Sequence, residues 1–186
     1  MYKNLKMLSI IPNLITTLRF ILVIPISIFI YKESYFLALT LFVVAGISDG
    51  LDGYLARKFD WVSEFGQFAD PLADKCLILA TLLALAFSER LPLWFVYTML
   101  SRDGIILIGS MLYLLLFDNK QALPNRWGKH YTGWTIALFI IVLLGSSFGF
   151  LPKFLEWVAM FGVLVFIVLS LISYLNHEGR AILKKL

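Results

Sequence analysis

The sequence predicts an all-α integral membrane protein, six transmembrane helices preceded by a short N-terminal interfacial helix, on three observations. Of 186 residues, 60% are hydrophobic and only 15% charged, and the mean hydropathy is +0.86. A soluble domain of this size leaves too much surface in water to hide that many apolar side chains. The apolar residues also fall into runs close to the ~20 residues that cross a bilayer. Finally, the runs are joined by short polar turns: Tyr31-Lys32-Glu33-Ser34, Ser88-Glu89-Arg90 and residues 146–152. No repeat, low-complexity tract or linker is present, so one membrane domain over residues 1–186 is expected.

Residues 1–10 (MYKNLKMLSI) mix Lys3 and Lys6 with apolar positions and read as the interfacial segment, ended by Pro12. The first span is placed at 13–31. Two lysines before an apolar run resemble a signal peptide. The stretch from Phe20 to Tyr31, however, contains Pro25 and lacks a small-x-small cleavage site, so a retained helix is expected. The second and third spans fall at 35–57 and 67–88, separated by a short connection from Lys58 to Gly66. Apolar runs then place the fourth at 92–117, the fifth at 131–149 and the sixth at 154–175.

Six spans put both termini on one side. Ten cations fall there: Lys3, Lys6, Arg57, Lys58, Lys120, Arg126, Lys129, Arg180, Lys184 and Lys185. Only Lys32, Arg90 and Lys153 fall on the other, while Arg19, Lys75 and Arg102 lie within helices. The positive-inside rule makes the first side cytoplasmic. A multi-pass protein of the bacterial inner membrane is expected, in contact with membrane lipids. The formal charge of +4 is too small to point to nucleic acid. The single cysteine, Cys76, excludes an internal disulfide and reads as a small apolar residue of a helical run.

Asp49, Asp52, Asp70 and Asp74 are the chemistry-bearing residues. Carboxylates at membrane depth persist where they pair, hold a metal or line a wet cavity. Asp49 and Asp52 are three apart and Asp70 and Asp74 four apart, so each pair shares one helix face. The short connection makes the two carrier helices antiparallel neighbours, and four carboxylates converge at their cytoplasmic ends. Carboxylates without histidine or cysteine suit Mg²⁺ or Mn²⁺ rather than Zn²⁺. Gly53, Ala56 and Gly66 permit close approach of backbone and ligand, and Arg57 offers a guanidinium for phosphate. Together these residues suit a diphosphate held through metal, with one carboxylate left to accept a proton from an attacking hydroxyl. A divalent-cation transporter would also place carboxylates in a bundle. It would not require the small residues, the Ala-Arg step or a site at the cytoplasmic edge.

Residues 49–74 fit D-x2-D-G-x2-A-R-x8-G-x3-D-x3-D without a departure. This resembles the signature of the CDP-alcohol phosphatidyltransferases, membrane enzymes of phospholipid synthesis, and the resemblance extends from about Ile11 to Arg180. It implies that Asp49, Asp52, Asp70 and Asp74 bind one or two divalent cations on the diphosphate of CDP-diacylglycerol. It further implies that Asp74 is the catalytic base, that Gly53, Ala56 and Gly66 floor the cytidine pocket, and that Arg57 steadies the ligand or the aspartates. A homodimer is implied as well.

The acceptor is less plainly written. Asn13, Thr16 and Arg19 lie three apart on one face of the first helix, a constellation similar to the opening of phosphatidylglycerophosphate synthases and of this superfamily's cardiolipin synthases. Arg19 is too deep to snorkel, and contact with phosphate is expected of it; the resemblance implies that Asn13, Thr16 and Arg19 belong with the CDP-binding residues. Ser101-Arg102-Asp103 and the ending from Tyr174 to Arg180 resemble the cardiolipin synthases. Arg102 and Asp103, being adjacent, are expected to point apart and need separate partners. Gly128-Lys129 occurs in both groups, although His130 to Trp134 depart from what usually follows. These residues favour phosphatidylglycerol as acceptor, giving cardiolipin, with glycerol 3-phosphate as the alternative. Both carry phosphate, so Arg102, Arg126 and Lys129 are the candidate acceptor-binding residues. His130 and His177 read as interfacial.

Overall fold

The computed structural model describes residues 10–59, 64–117 and 126–176, with the side chains of 10–13, 52–57 and 64–68 excepted. The interfacial segment expected at the N-terminus lies outside the described residues. Six helices follow in order: α1 (Ile10–Tyr31), α2 (Tyr35–Phe59), α3 (Glu64–Phe87), α4 (Leu93–Leu116), α5 (Arg126–Phe148) and α6 (Lys153–Tyr174).

The boundaries follow backbone chemistry more closely than hydropathy. Pro12 does not end a segment; it falls in the first turn of α1, where its missing N–H has no helical acceptor to lose. α5 begins at Arg126, five residues before the apolar run, because Arg126-Trp127-Gly128-Lys129-His130 is polar without being helix-breaking. Pro92 and Pro152, both extended at φ −69° and −67°, stand immediately before α4 and α6.

α1 and α3 end in the same way. Ser34 N–H bonds Phe29 O at 2.8 Å and Glu33 N–H bonds Ile30 O at 3.0 Å. Likewise Arg90 N–H bonds Leu85 O at 2.9 Å and Glu89 N–H bonds Ala86 O at 3.0 Å. This paired pattern closes a helix through one left-handed residue, usually glycine. Here Glu33 (φ 57°) and Glu89 (φ 55°) take that position.

The chain divides into two compact units, Met1–Arg90 with Ser146–Gly149, and Leu91–Gly145 with Phe150–Leu186. In the first, α1 packs against both α2 and α3. Ile26 and Ile30 of α1 are fully buried, as are Ala38 and Ala45 of α2 and Ala73 of α3, small residues that let helix axes approach. Ser88 Oγ donates to Ile30 O at 3.2 Å, and Arg90 Nε donates to Tyr35 Oη at 2.9 Å, tying the α3–α4 turn to α1 and α2.

In the second unit α4 packs on α6. Phe95 and Met99 of α4, Leu138, Phe139 and Leu143 of α5, and Val163 of α6 are its buried apolar residues. Tyr174 Oη abuts Gly109 of α4, and the Trp134 ring of α5 lies against Gly162 of α6, leaving no room for a side chain at either glycine.

α1 (from Leu14), α4, α5 and α6 are long and apolar enough to cross a membrane. α2 contributes a shorter apolar stretch, Tyr35–Leu51, and α3 carries Asp70, Asp74 and Lys75 in its first half. The two helices that fall short of the other four are those bearing Asp49, Asp52, Asp70 and Asp74. Elsewhere the apolar side chains face outward: Ile108, Leu115, Phe154 and Phe161 are each 68–71% exposed, a surface suited to hydrocarbon and not to water.

Candidate active site

α1 contributes no acid, yet it organises the acids of the other two helices. Arg19 is completely buried. Its Nη2 pairs with Asp49 Oδ1 of α2 at 2.7 Å, and its Nη1 donates to Asp74 Oδ1 of α3 at 2.8 Å. One turn earlier, Thr16 is also buried and its Oγ1 donates to Asp70 Oδ1. The spacing of three that joins Thr16 to Arg19 meets the spacing of four that joins Asp70 to Asp74, so two rungs link α1 to α3. A planar guanidinium with donors on separate nitrogens can take one carboxylate at each edge, which the compact ammonium of lysine does not do.

Asp49 and Asp74 are therefore held within the reach of one guanidinium. Their side chains remain 44% and 45% exposed, so the pair is anchored from the buried side and open on the other. An unpaired Arg19 at this depth would carry a large desolvation penalty, which the two carboxylates offset. Sequence reasoning gave Arg19 to phosphate; the structure gives it two carboxylate partners. The signal that could have found this was the coincidence of a deep cation with deep acids, since charges within spans pair with one another.

Asp52, Gly53, Ala56, Arg57, Gly66 and Asn13 lie on these same helices, but their side-chain placement falls outside the described residues. Among the described residues no three acids, histidines or cysteines form a closed metal cage. The donor chemistry nonetheless fits a hard cation: Asp49, Asp70 and Asp74 are oxygen donors, and no thiolate or imidazole accompanies them.

The candidate acceptor residues lie in the second unit. Arg102 and Asp103 do not point apart: Arg102 Nη1 donates to Asp103 Oδ1 at 2.7 Å. The expectation failed because an arginine chain is long enough to swing its head back over the neighbouring residue. Arg102 Nη2 also donates to Ser170 Oγ of α6, and the guanidinium carbon lies 4.1 Å from the ring centroid of Tyr131 on α5. Arg126 and Lys129 are exposed at the start of α5. Lys129 lines a cleft of about 370 Å³ with His130, Gly133, Trp134 and Ala137. Next to it Phe166 stacks against both His130 and Trp134, at centroid distances of 5.5 and 6.0 Å. Cys76 is half-buried, with no bonded role.

Helices that place acidic residues at a buried cation, with apolar side chains facing outward, fit a membrane protein with an acidic site. Comparison with known proteins identifies which. The family profile described as CDP-alcohol phosphatidyltransferase matches residues 9–171, and the chain belongs to that family. It is 34% identical over 163 residues to the CDP-diacylglycerol–glycerol-3-phosphate 3-phosphatidyltransferase of Pseudomonas fluorescens, covering 81% of this chain and 77% of that one. The protein of the same name from Bacillus subtilis is also 34% identical, over 148 residues, 76% of this chain and 73% of that one. A CMP-forming cardiolipin synthase of Streptomyces coelicolor is 34% identical over a shorter 120 residues, 62% of this chain and 54% of that one.

Proposed function

We propose that the protein transfers a phosphatidyl group from CDP-diacylglycerol to glycerol 3-phosphate and releases CMP. Membership of the family supplies the reaction class and the donor. The acceptor rests on one observation. The relatives named for glycerol 3-phosphate align over about three quarters of both chains, whereas the cardiolipin synthase aligns over a shorter part at the same identity. This favours the second acceptor expected from the sequence over the first. Transfer to phosphatidylglycerol remains the competing reading, carried by the Arg102-Asp103 pair.

In this reading Asp49, Asp52, Asp70 and Asp74 would hold Mg²⁺ or Mn²⁺. The cation would supply charge neutralisation for the diphosphate. Asp74 accepts the proton of the acceptor hydroxyl. Thr16 and Arg19 keep Asp70, Asp49 and Asp74 in register. Asn13, Gly53, Ala56, Arg57 and Gly66 receive the CDP moiety. Arg102, Arg126 and Lys129 neutralise the acceptor's phosphate. The cytoplasmic face is the side from which a water-soluble acceptor reaches the site, and the protein works as a homodimer in the inner membrane.

The test is product identification. Purified protein is supplied with CDP-diacylglycerol, Mg²⁺ and either glycerol 3-phosphate or phosphatidylglycerol, and the lipid product is resolved by mass. Phosphatidylglycerol phosphate is expected from the first mixture. Cardiolipin from the second, with no product from the first, would reverse the choice of acceptor. Cation flux in vesicles without nucleotide turnover would remove the enzyme reading altogether.

A further inference from the structure

α1 and α3 run parallel along a common seam, and three contacts fix their register: Thr16 to Asp70, Arg19 to Asp74, and Ser88 to the Ile30 carbonyl. The acids lie at one end of that seam. Towards the other end it parts into a cleft of about 420 Å³, lined by Ser27, Ile28 and Tyr31 of α1 and by Ala80, Ala84 and Phe87 of α3. Every lining residue belongs to the first unit. Ala84 is buried whereas Ile28, Tyr31 and Phe87 are exposed, so small side chains lie at the floor and large ones stand at the rim. The lining offers little to a polar ligand. The Ser27 hydroxyl is committed to Val23 O at 2.9 Å, and the other polar side chain among the described residues of the cleft is Tyr31, at the end of α1. Depth narrows the choice of occupant. At 1.5 Å per residue, Ala80 lies ~9 Å beyond Asp74 along α3, and Phe87 ~20 Å beyond it. On α1, Ser27 and Tyr31 lie ~12 and ~18 Å beyond Arg19. One leaflet of a ~30 Å hydrocarbon core is ~15 Å deep. The cleft therefore brackets the depth at which an acyl chain ends when its headgroup is held at the acids.

We propose that this cleft receives the distal part of one acyl chain of the CDP-diacylglycerol donor and so sets which chain lengths the enzyme prefers. The proposal rests on the transferase reading, which puts the donor's diphosphate at Asp49, Asp70 and Asp74. Headgroup and tail of a lipid are joined covalently, so fixing the diphosphate at one end of the seam fixes the depth of the tail. Bulk lipid meets the same lining without that anchor, which makes the donor the favoured occupant. Hydrocarbon is as apolar as the lining, so the gain is van der Waals packing against the alanine floor and the rim side chains rather than escape from water. The contact is remote from the reacting phosphorus, and it acts through kcat/KM for the donor.

The experiment compares dipalmitoyl and dioctanoyl CDP-diacylglycerol as donors to glycerol 3-phosphate, on the purified full-length protein and on Ala80→Phe, which fills the cleft. An eight-carbon chain covers about half a leaflet, ~8 Å, and stops short of the cleft. Ala80→Phe is therefore expected to lower kcat/KM for the dipalmitoyl donor about fivefold, the scale of ~10 lost van der Waals contacts, and to hold the dioctanoyl value within about twofold. If Ala80→Phe fails to accumulate, Ala80→Leu is expected to show the same discrimination to a smaller degree. Independently, a palmitoyl donor carrying a diazirine near the end of its chain is expected, on illumination, to label residues 27–31 or 80–87, as located by peptide mass. An equal loss with both donors, or no loss with either, would overturn the proposal. Labelling confined to other segments would overturn it too. So would equal labelling by a diazirine phosphatidylcholine, which would assign the cleft to bulk lipid. CMP release from the dioctanoyl donor by the unaltered protein shows that the transferase reading stands whichever of these outcomes is found. Its absence would remove that reading, and the proposal with it.

Discussion

Asp74 Oδ1 accepts a hydrogen bond from Arg19 Nη1 at 2.8 Å, across 55 positions of sequence. Through this bond and its twin to Asp49, the geometry of the acidic pair is inherited from the shape of a guanidinium. The first prediction tests the pair itself. Arg19→Ala leaves two carboxylates facing each other without a cation, and a loss of about 2 kcal/mol of stability is expected, less than for a fully buried pair because both acids are partly solvated. Added Mg²⁺ should raise the melting temperature of Arg19→Ala more than that of the unaltered protein, since the divalent ion replaces the missing charge. Equal shifts in thermal unfolding would argue against a common site for the two cations.

Arg19→Lys separates charge from shape. A lysine restores one positive charge but not two donors on separate nitrogens at a fixed spread. Expected is partial recovery of stability over Arg19→Ala with CMP release still depressed at least tenfold, measured by nucleotide chromatography. Full recovery of turnover would show that position matters and planarity does not.

Asp74→Asn retains size and loses the proton acceptor. CMP release is expected to fall by about a thousandfold, the middle of the range for removing a general base. Binding of CDP-diacylglycerol, followed by equilibrium titration, should weaken less than turnover falls. Chelation of divalent ions with EDTA should abolish turnover in the unaltered protein, and Mg²⁺ or Mn²⁺ should restore it.

Glu33 and Glu89 occupy left-handed backbone at the ends of α1 and α3. Left-handed backbone disfavours an L side chain by ~1–2 kcal/mol, against which glycine loses some of the gain to the entropy of the unfolded chain. Glu33→Gly is therefore expected to stabilise the fold by about 0.5 kcal/mol, read as a rise in melting temperature. Glu89→Gly should act in the same direction.

Gly162→Ala probes the packing of α5 on α6. A methyl there would stand 2.5 Å from Cε3 of Trp134, so the ring must move or the helices part. A destabilisation of about 1–2 kcal/mol is expected in thermal unfolding.

Much of this was legible in the residues. Apolar run length placed all six helices to within five residues, and the spacing of Asp70 and Asp74 put them on one face of α3. The spacing rules also put Thr16 and Arg19 on one face of α1, but they describe one helix at a time and do not say which neighbour that face meets. They therefore led to a ligand for Arg19 and did not disclose its pairing with Asp49 and Asp74. Ser170 escaped notice for a related reason. A lone serine in Val-Leu-Ser-Leu-Ile looks like a small packing residue until the arginine it faces, 68 positions earlier, is known. The one rule applied too literally was that neighbours in sequence diverge, which Arg102 and Asp103 break by virtue of side-chain length.

Arg19 precedes Asp49, Asp70 and Asp74 in the order of synthesis, and α1 packs against both helices that follow it. During insertion the guanidinium has left the ribosome before any of these acids. Each carboxylate of the bridged pair therefore meets its counterion on arrival, and neither has to wait in lipid for a later helix to neutralise it.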